Sequence, residues 1–311
     1  MKRVWMIVVL TAIVGAGRTD AQAPTSRAVG PAFRGGVDVV ALNVTVTDAS
    51  RRFVTDLERN NFLVFEDGKP QQVTFFQQTG LSLAIALLLD TSASMDDKLA
   101  VVHEAAIGFA RQLGQTDVAS VIDFNTRVSV RQEFTNDVAA LERAIRRTTA
   151  GGSTALYNAL YFALRGLSKV TPDERTGEPR RRAIIVLTDG EDTSSLIGFD
   201  EVLDFAARSD TAIYAIGLIA RSLPDTRSSQ GAQFVLRRFA DQTGGRAYFP
   251  ADVKDLQGVY AEIKAELSSQ YSLAYESSNS RRDGQFRRVA VRVDRTGAQA
   301  RTRPGYYAPT K

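Results

Sequence analysis

The chain has 311 residues, 44% of them hydrophobic and 24% charged, enough for one large domain or a domain with extensions. A net charge of +4, small against 39 basic and 35 acidic residues, makes no case for a nucleic-acid partner. The absence of cysteine excludes disulfides and thiolate metal sites, and a single histidine, His103, excludes a multi-histidine zinc site.

Lys2 and Arg3 open the chain, followed by an uncharged run, "VWMIVVLTAIVGAG", at 4–17. "TDAQA" then offers small residues for cleavage after Ala21 or Ala23. This order reads as a signal peptide over 1–23, and the apolar run is short for a membrane span. The expected location is therefore secreted, periplasmic or cell-surface, with an uncleaved anchor as the alternative. A fold of this length can rely on its core, so lack of cysteine does not argue against export. Residues 24–36 read as a polar linker.

From 37 to 80 the pattern is β-rich. "VDVVALNVTVTD" alternates and is full of Val and Thr, and "FLVFEDGKPQQVTFF" (62–76) reads as a hairpin turning at Asp67-Gly68. From 81 to 269 apolar strands alternate with amphipathic helices. Strands are expected at 81–90, 118–124, 183–189 and 211–218, and helices after Leu99, from Thr154 to Leu167, and around Leu256–Leu267. Strands apolar throughout, separated by helices, imply an α/β fold with a doubly wound, mainly parallel, Rossmann-like sheet. In such sheets the functional crevice lies at the carboxyl ends of the strands.

The β pattern returns over 270–311 with "QYSLAYES", "FRRVAVRVD" and "RTRPGYYAP". Eight arginines stand against two aspartates in 281–303. They read as the solvated face of a hairpin or, functionally, as a contact for an anionic envelope surface. Neither β segment is long enough for a core of its own, and the ends of a domain often lie close together. The expectation is one small β-sandwich-like unit built from both segments, with Tyr306 and Tyr307 docked against that unit and the α/β domain inserted between its halves.

The chemistry gathers at strand ends. "LLLDTSASMDD" (87–97) ends a greasy strand in Asp90, then presents Thr91, Ser92 and Ser94. "IIVLTDGED" ends another strand in Asp189, and "AGGSTALYNAL" places Thr154 after a glycine pair where a helix begins. If these strands are parallel neighbours, the three loops meet at one edge. An all-oxygen donor set suits a hard cation: Mg2+, with Mn2+ or Ca2+ as alternatives. A cation held by two carboxylates and neutral hydroxyls retains positive character and seeks an anion, which a partner's carboxylate would supply. Helix capping is the plainer reading, since Ser94 with Asp97 and Thr188 with Glu191 both fit the capping-box spacing. Asp96, Asp97, Glu191 and Asp192 ring the site as solvated or helix-terminal charges. His103, on a helix among apolar positions, reads as partly buried and structural.

"DTSASM" has the D-x-S-x-S form of the metal-ion-dependent adhesion site of von Willebrand factor type A domains, and "GGSTALYNAL" and "VLTDGED" resemble that family's threonine and distal aspartate loops. The resemblance covers about 81–269 and implies a metal held by Asp90, Ser92, Ser94, Thr154 and Asp189. Thr154 is chosen over Ser153 because "TALYNAL" aligns with the family's helix start. The flanks "VTDASRRFVTDLERNNFLVFEDGKPQQVTFF" and "RPGYYAP" resemble a secreted bacterial subfamily described from Acidobacteria-type proteins.

The expected function is an exported, divalent-metal-dependent protein-binding module, and not an enzyme. A structural envelope protein with a stabilising metal is one alternative. A metal-dependent phosphoryl-transfer enzyme is another, weakened because Ser92 stands where haloacid-dehalogenase-like enzymes carry a second acid. A serine hydrolase needs a base, and His103 sits beside the core stripe of its helix.

Overall fold

The computed structural model describes residues 39–78, 81–218 and 227–310. The expected signal peptide and linker lie outside the described residues. Four strands come first: β1 (Val39–Thr47), β2 (Phe62–Glu66), β3 (Lys69–Gln71) and β4 (Val73–Gln77). The middle of the chain runs β5 (Leu83–Asp90), α1 (Leu99–Ala110), β6 (Val118–Phe124), β7 (Val128–Thr135), α2 (Val138–Arg146), α3 (Leu156–Ser168) and β8 (Arg181–Thr188). It continues with α4 (Phe199–Arg208), β9 (Thr211–Gly217), α5 (Arg227–Thr243), β10 (Ala247–Tyr248) and α6 (Leu256–Ser269). Four more strands close it: β11 (Tyr271–Glu276), β12 (Phe286–Val293), β13 (Gln299–Arg301) and β14 (Gly305–Tyr307).

The central sheet has the order β10-β9-β8-β5-β6-β7. All its pairings are parallel except β6 with β7. The sheet is buried on both faces, which is why β5 reads as an unbroken apolar run, all eight residues buried. On one face Leu83, Ile85, Leu87 and Leu89 meet Val102, Phe109, Leu141, Ile145, Tyr260 and Ile263 of α1, α2 and α6. On the other, Ala84, Ala86 and Leu88 meet Leu156, Leu160, Leu164, Val202 and Phe239 of α3, α4 and α5. Each fully buried Leu or Ile in these layers contributes about 1.5–3 kcal/mol of transfer free energy.

Strand β5 stands between β6 and β8, so successive crossovers depart from it in opposite directions. Such a reversal opens a crevice at the carboxyl ends of the two strands. The expected strand 183–189 ends one residue earlier, at Thr188, which leaves Asp189 in the loop above the sheet.

The remaining strands form two four-stranded antiparallel sheets, β13-β1-β11-β4 and β14-β12-β2-β3. Register pairs Leu42 with Leu273 in the first and Val64 with Val291 in the second. Between them lies a third core, with Val40, Leu42, Val44, Phe62, Val64, Tyr271, Leu273, Tyr275, Val289 and Tyr306. Strands β2 and β3 are joined through Asp67 and Gly68, both at positive φ (47° and 80°), the conformation that a tight two-residue hairpin requires. Inside this core Glu66 accepts from Tyr275 Oη (2.8 Å), Tyr306 Oη (3.0 Å) and Ser277 Oγ (2.7 Å), and pairs with Arg287 at 3.6 Å. Tyr306 is buried in that unit, whereas Tyr307 carries the guanidinium of Arg208, from α4, 3.8 Å above its ring.

A second polar cluster joins the α/β layers to these sheets. Glu266 of α6 accepts from Tyr214 Oη at 2.7 Å and Thr45 Oγ1 at 3.2 Å, and forms an ion pair with Arg301. Burial, with the charge of Glu266 beside it, pushes the Tyr214 phenol well above its usual range. Among the described residues no helix is long and apolar enough to cross a membrane.

Candidate metal centre

Asp90 is the last residue of β5 and is fully buried. Its Oδ1 accepts from the Ser92 backbone N–H at 2.8 Å, and its Oδ2 from Thr188 Oγ1 at 2.5 Å. Burial pushes its carboxyl above the ordinary carboxylate value; bonds from Ser92 and Thr188 pull the other way, and the negative charge of Asp189 adds to the rise. The neighbouring carboxylate therefore belongs to the same electrostatic site.

After Asp90 the chain makes a short 3-10 turn at Ala93–Met95, anchored by buried Met95. This turn carries Ser92 and Ser94 with their hydroxyls 3.1 Å apart. Ser94 Oγ donates to Asp189 Oδ1 at 2.8 Å. Asp189 Oδ2 accepts from Lys98 Nζ, which also donates to the Ser94 carbonyl at 2.9 Å. Asp90, Ser92, Ser94 and Asp189 thus lie on one short hydrogen-bonded path across the ends of β5 and β8.

Thr154 reaches the same edge through its loop. Gly151 N–H donates to Thr91 O at 2.8 Å, and Ala93 N–H to Gly152 O at 3.0 Å, so the loop before α3 is laced to the loop after β5. Gly152 is at φ +81°, and a Cβ there would stand 2.5 Å from Thr126 Oγ1. Only glycine lets the loop pass so close. The Thr154 carbonyl accepts from the N–H groups of Thr193 and Ser194 at 2.8 and 3.1 Å, which ties it to the loop after β8. Thr154 is buried, and no hydrogen bond links its hydroxyl to the other four residues.

The capping reading of Ser94 and Thr188 does not hold. Lys98 is the residue that precedes α1, without a side-chain cap. The hydroxyls of Ser94 and Thr188 go instead to Asp189 and Asp90. Asp192 does serve a helix start, accepting from Tyr157 N–H of α3 at 2.9 Å. Asp96, Asp97 and Glu191 are exposed. His103 is half-buried and bonded to Thr148 Oγ1 at 2.7 Å, and to none of the five candidate ligands. Lys98 is the participant that sequence reasoning passed over, and Thr188 reads there only as a cap; the only local signal for Lys98 is its place four residues after Ser94.

The donor set consists of two carboxylates and neutral hydroxyls, with no imidazole or thiolate. Among the described residues no group of three or more His, Cys, Asp or Glu forms a metal-holding cluster, so any cation here would rely on serine and threonine oxygens as much as on charge. An ammonium already docked on Asp189, and two mutually repelling acids at one edge, fit a place built for positive charge. The oxygen-only chemistry fits Mg2+, Mn2+ or Ca2+.

A family model described as the von Willebrand factor type A domain matches residues 84–262, more than half of the chain, and the chain belongs to that family. Domains of this family typically mediate protein–protein interaction. A solved von Willebrand factor type A structure from Catenulispora acidiphila matches 90% of this chain and 76% of its own, with a TM-score of 0.53 and 14% identity. Proximal thread matrix protein 1 from the mussel byssus matches 65% of this chain and 51% of its own, with a TM-score of 0.50 and 16% identity. At these identities the likeness is one of fold. The uncharacterized protein sll0103 of Synechocystis sp. is 35% identical over 114 residues, 36% of this chain, and the match spans only 26% of that relative's length.

Proposed function

We propose that this chain is an exported protein-binding module, not an enzyme, whose contact with its partner is completed by a divalent cation. Asp90, Ser92, Ser94, Thr154 and Asp189 would hold Mg2+, with Mn2+ or Ca2+ as substitutes. The cation would supply a positive centre at the sheet edge, for which a carboxylate of the partner is the complement.

The observation that carries this reading is the hydrogen-bonded path from Asp90 through Ser92 and Ser94 to Asp189, drawn from two adjacent strand ends. Family membership supports the protein-binding half of it. The loop after β8, which carries Asp189, also presents Leu196, 95% exposed, as an apolar contact. A second contact, of the segment 281–303 with an anionic envelope surface, falls mainly to Arg281, Arg288 and Arg292. All three are exposed, whereas Arg287, Arg295, Arg301 and Arg303 are paired with Glu66, Asp56, Glu266 and Asp210.

Calorimetric titration of the purified protein with Mg2+ tests the metal half. Binding to the folded state alone adds about 2.7 kcal/mol of stability at a hundredfold excess over Kd, and Asp90→Ala abolishes both the heat and the stabilisation. Flat heats and an unchanged melting temperature across millimolar Mg2+ would overturn it. Capture of a partner in Mg2+ but not in EDTA separates the binding module from an envelope protein in which the metal only stabilises the fold.

A further inference from the structure

Both oxygens of Asp189 are already engaged from within the chain. Oδ1 accepts from Ser94 Oγ, and Oδ2 accepts from the Lys98 ammonium. Lys98 also donates to the Ser94 carbonyl, so one side chain grips the loop after β5 and the loop after β8 together. The Asp189 side chain is only 4% exposed, while that of Lys98 is 24% exposed and has a path to water. Asp90 lies close enough for the charge of Asp189 to act on it. The ammonium is thus a positive charge bonded to one of two acids that repel each other.

We propose that Lys98 is a tethered cation that occupies Asp189 in the metal-free protein and competes with the divalent ion for it. Lys98 thereby sets how tightly the site binds metal. The inference rests on the metal-binding reading above. An Asp189 oxygen that already accepts from an ammonium is available to a second cation only when the ammonium withdraws or shares it. Lysine suits the task because its charge is compact and carried on a flexible stem, whereas arginine's planar fork would fix the pair more rigidly. Any contact made only in the metal-free state lowers the metal affinity by the factor with which it stabilises that state.

One substitution then has effects of opposite sign. Lys98→Met keeps the length of the stem and removes the charge. In EDTA its melting temperature falls below that of the wild type, because Asp189 loses its counter-charge. Its Mg2+ affinity rises by at least about fivefold, the low end of ordinary coupling between two binding events. In saturating Mg2+ the difference in melting temperature disappears. A lysine that only props the fold would lower the melting temperature in both conditions without tightening Mg2+ binding, and a lysine that helps to bind the ion would weaken it.

The experiment is Mg2+ calorimetry and thermal melting, in EDTA and in Mg2+, on the full chain as wild type, Lys98→Met and Lys98→Arg. Lys98→Arg keeps the charge and holds Asp189 more rigidly, so it binds Mg2+ no more tightly than the wild type. Wild type that binds Mg2+, with Lys98→Met binding equally or more weakly, overturns the competitor role and leaves the metal site standing. No Mg2+ heat from any of the three overturns both. Should Lys98→Met not fold, Lys98→Gln is read by the same two criteria.

Discussion

Thr188 Oγ1 donates to Asp90 Oδ2 at 2.5 Å, so the last residue of one parallel strand hands a proton bond to the last residue of its neighbour. Both side chains are fully buried. Thr188→Val keeps the shape and removes the donor, leaving a buried carboxylate oxygen short of a partner. The expected loss is about 1–3 kcal/mol, measured by urea unfolding in EDTA. In Mg2+ the deficit shrinks, since a cation at Asp90 replaces the missing donor. An equal deficit in both conditions would place Thr188 outside the metal's reach.

Arg287 and Glu66 are each 2% exposed, 3.6 Å apart, and come from strands at opposite ends of the chain. Arg287→Met leaves Glu66 buried without its cation. Breaking such a pair from one side costs about 3–5 kcal/mol. Hydrogen exchange locates the damage, and amides in both β2 and β12 lose protection together.

Leu196 touches water over 95% of its surface on the loop that carries Asp189. Leu196→Asp leaves stability within about 0.5 kcal/mol, as surface changes do. Its Mg2+ heat is unchanged, yet Mg2+-dependent capture of a partner from envelope extracts is lost. Retained capture shows that this loop does not meet the partner.

His103 is the chain's single imidazole, so its titration stands alone in an NMR spectrum. Burial pushes its pKa below the ordinary 6.5, the charge of Arg146 adds to the fall, and Glu104 opposes it. Thr148 Oγ1 spends its proton on the Ile145 carbonyl, so His103 Nε2 is the donor in their bond. The fold therefore favours the neutral ring. Its contribution is present above pH 6.5 and is lost as the pH falls through the lowered pKa. His103→Gln flattens that part of the stability curve; a midpoint at or above 6.5 contradicts the burial argument.

Export is tested on the secreted protein itself. Intact-mass measurement should find a mature terminus just after Ala21 or Ala23. Met1 at the terminus of the envelope-bound form would indicate an anchor instead.

The sheet and the strand-end acids were legible because their signals are local. β5 is eight buried residues in a row with Asp90 at its end, and α3 shows Leu156, Leu160, Leu164 and Leu167 at helical spacing. β7 escaped notice because an edge strand buries little, and "VSVRQEFT" is polar enough to pass for a loop. Lys98 gave no sequence signal of its role beyond its spacing from Ser94, since its partner lies 91 positions away. Arg301, whose partner Glu266 is 35 positions away, looked like part of a basic hairpin face. Local pattern reports burial and period, and carries no record of which distant charge a side chain will meet.

The antiparallel sheets have a consequence for the order of events during synthesis. Val39 pairs with Glu276 and Val46 with Ala300, so apart from the local contacts of Val46 and Thr47 with Val54 and Phe53, β1 waits for more than two hundred further residues before its ladder partners are made. The α/β layers between them consist of shorter-range parallel pairings and can assemble first. Contacts that span so much chain form slowly, and an unpaired valine-rich strand invites pairing with another molecule in the meantime. A nascent chain halted before residue 271 would hold most of β1 bare. A chaperone that recognises extended apolar segments would find its binding site there, and the earliest-made of the described strands would be among the last to be sheltered.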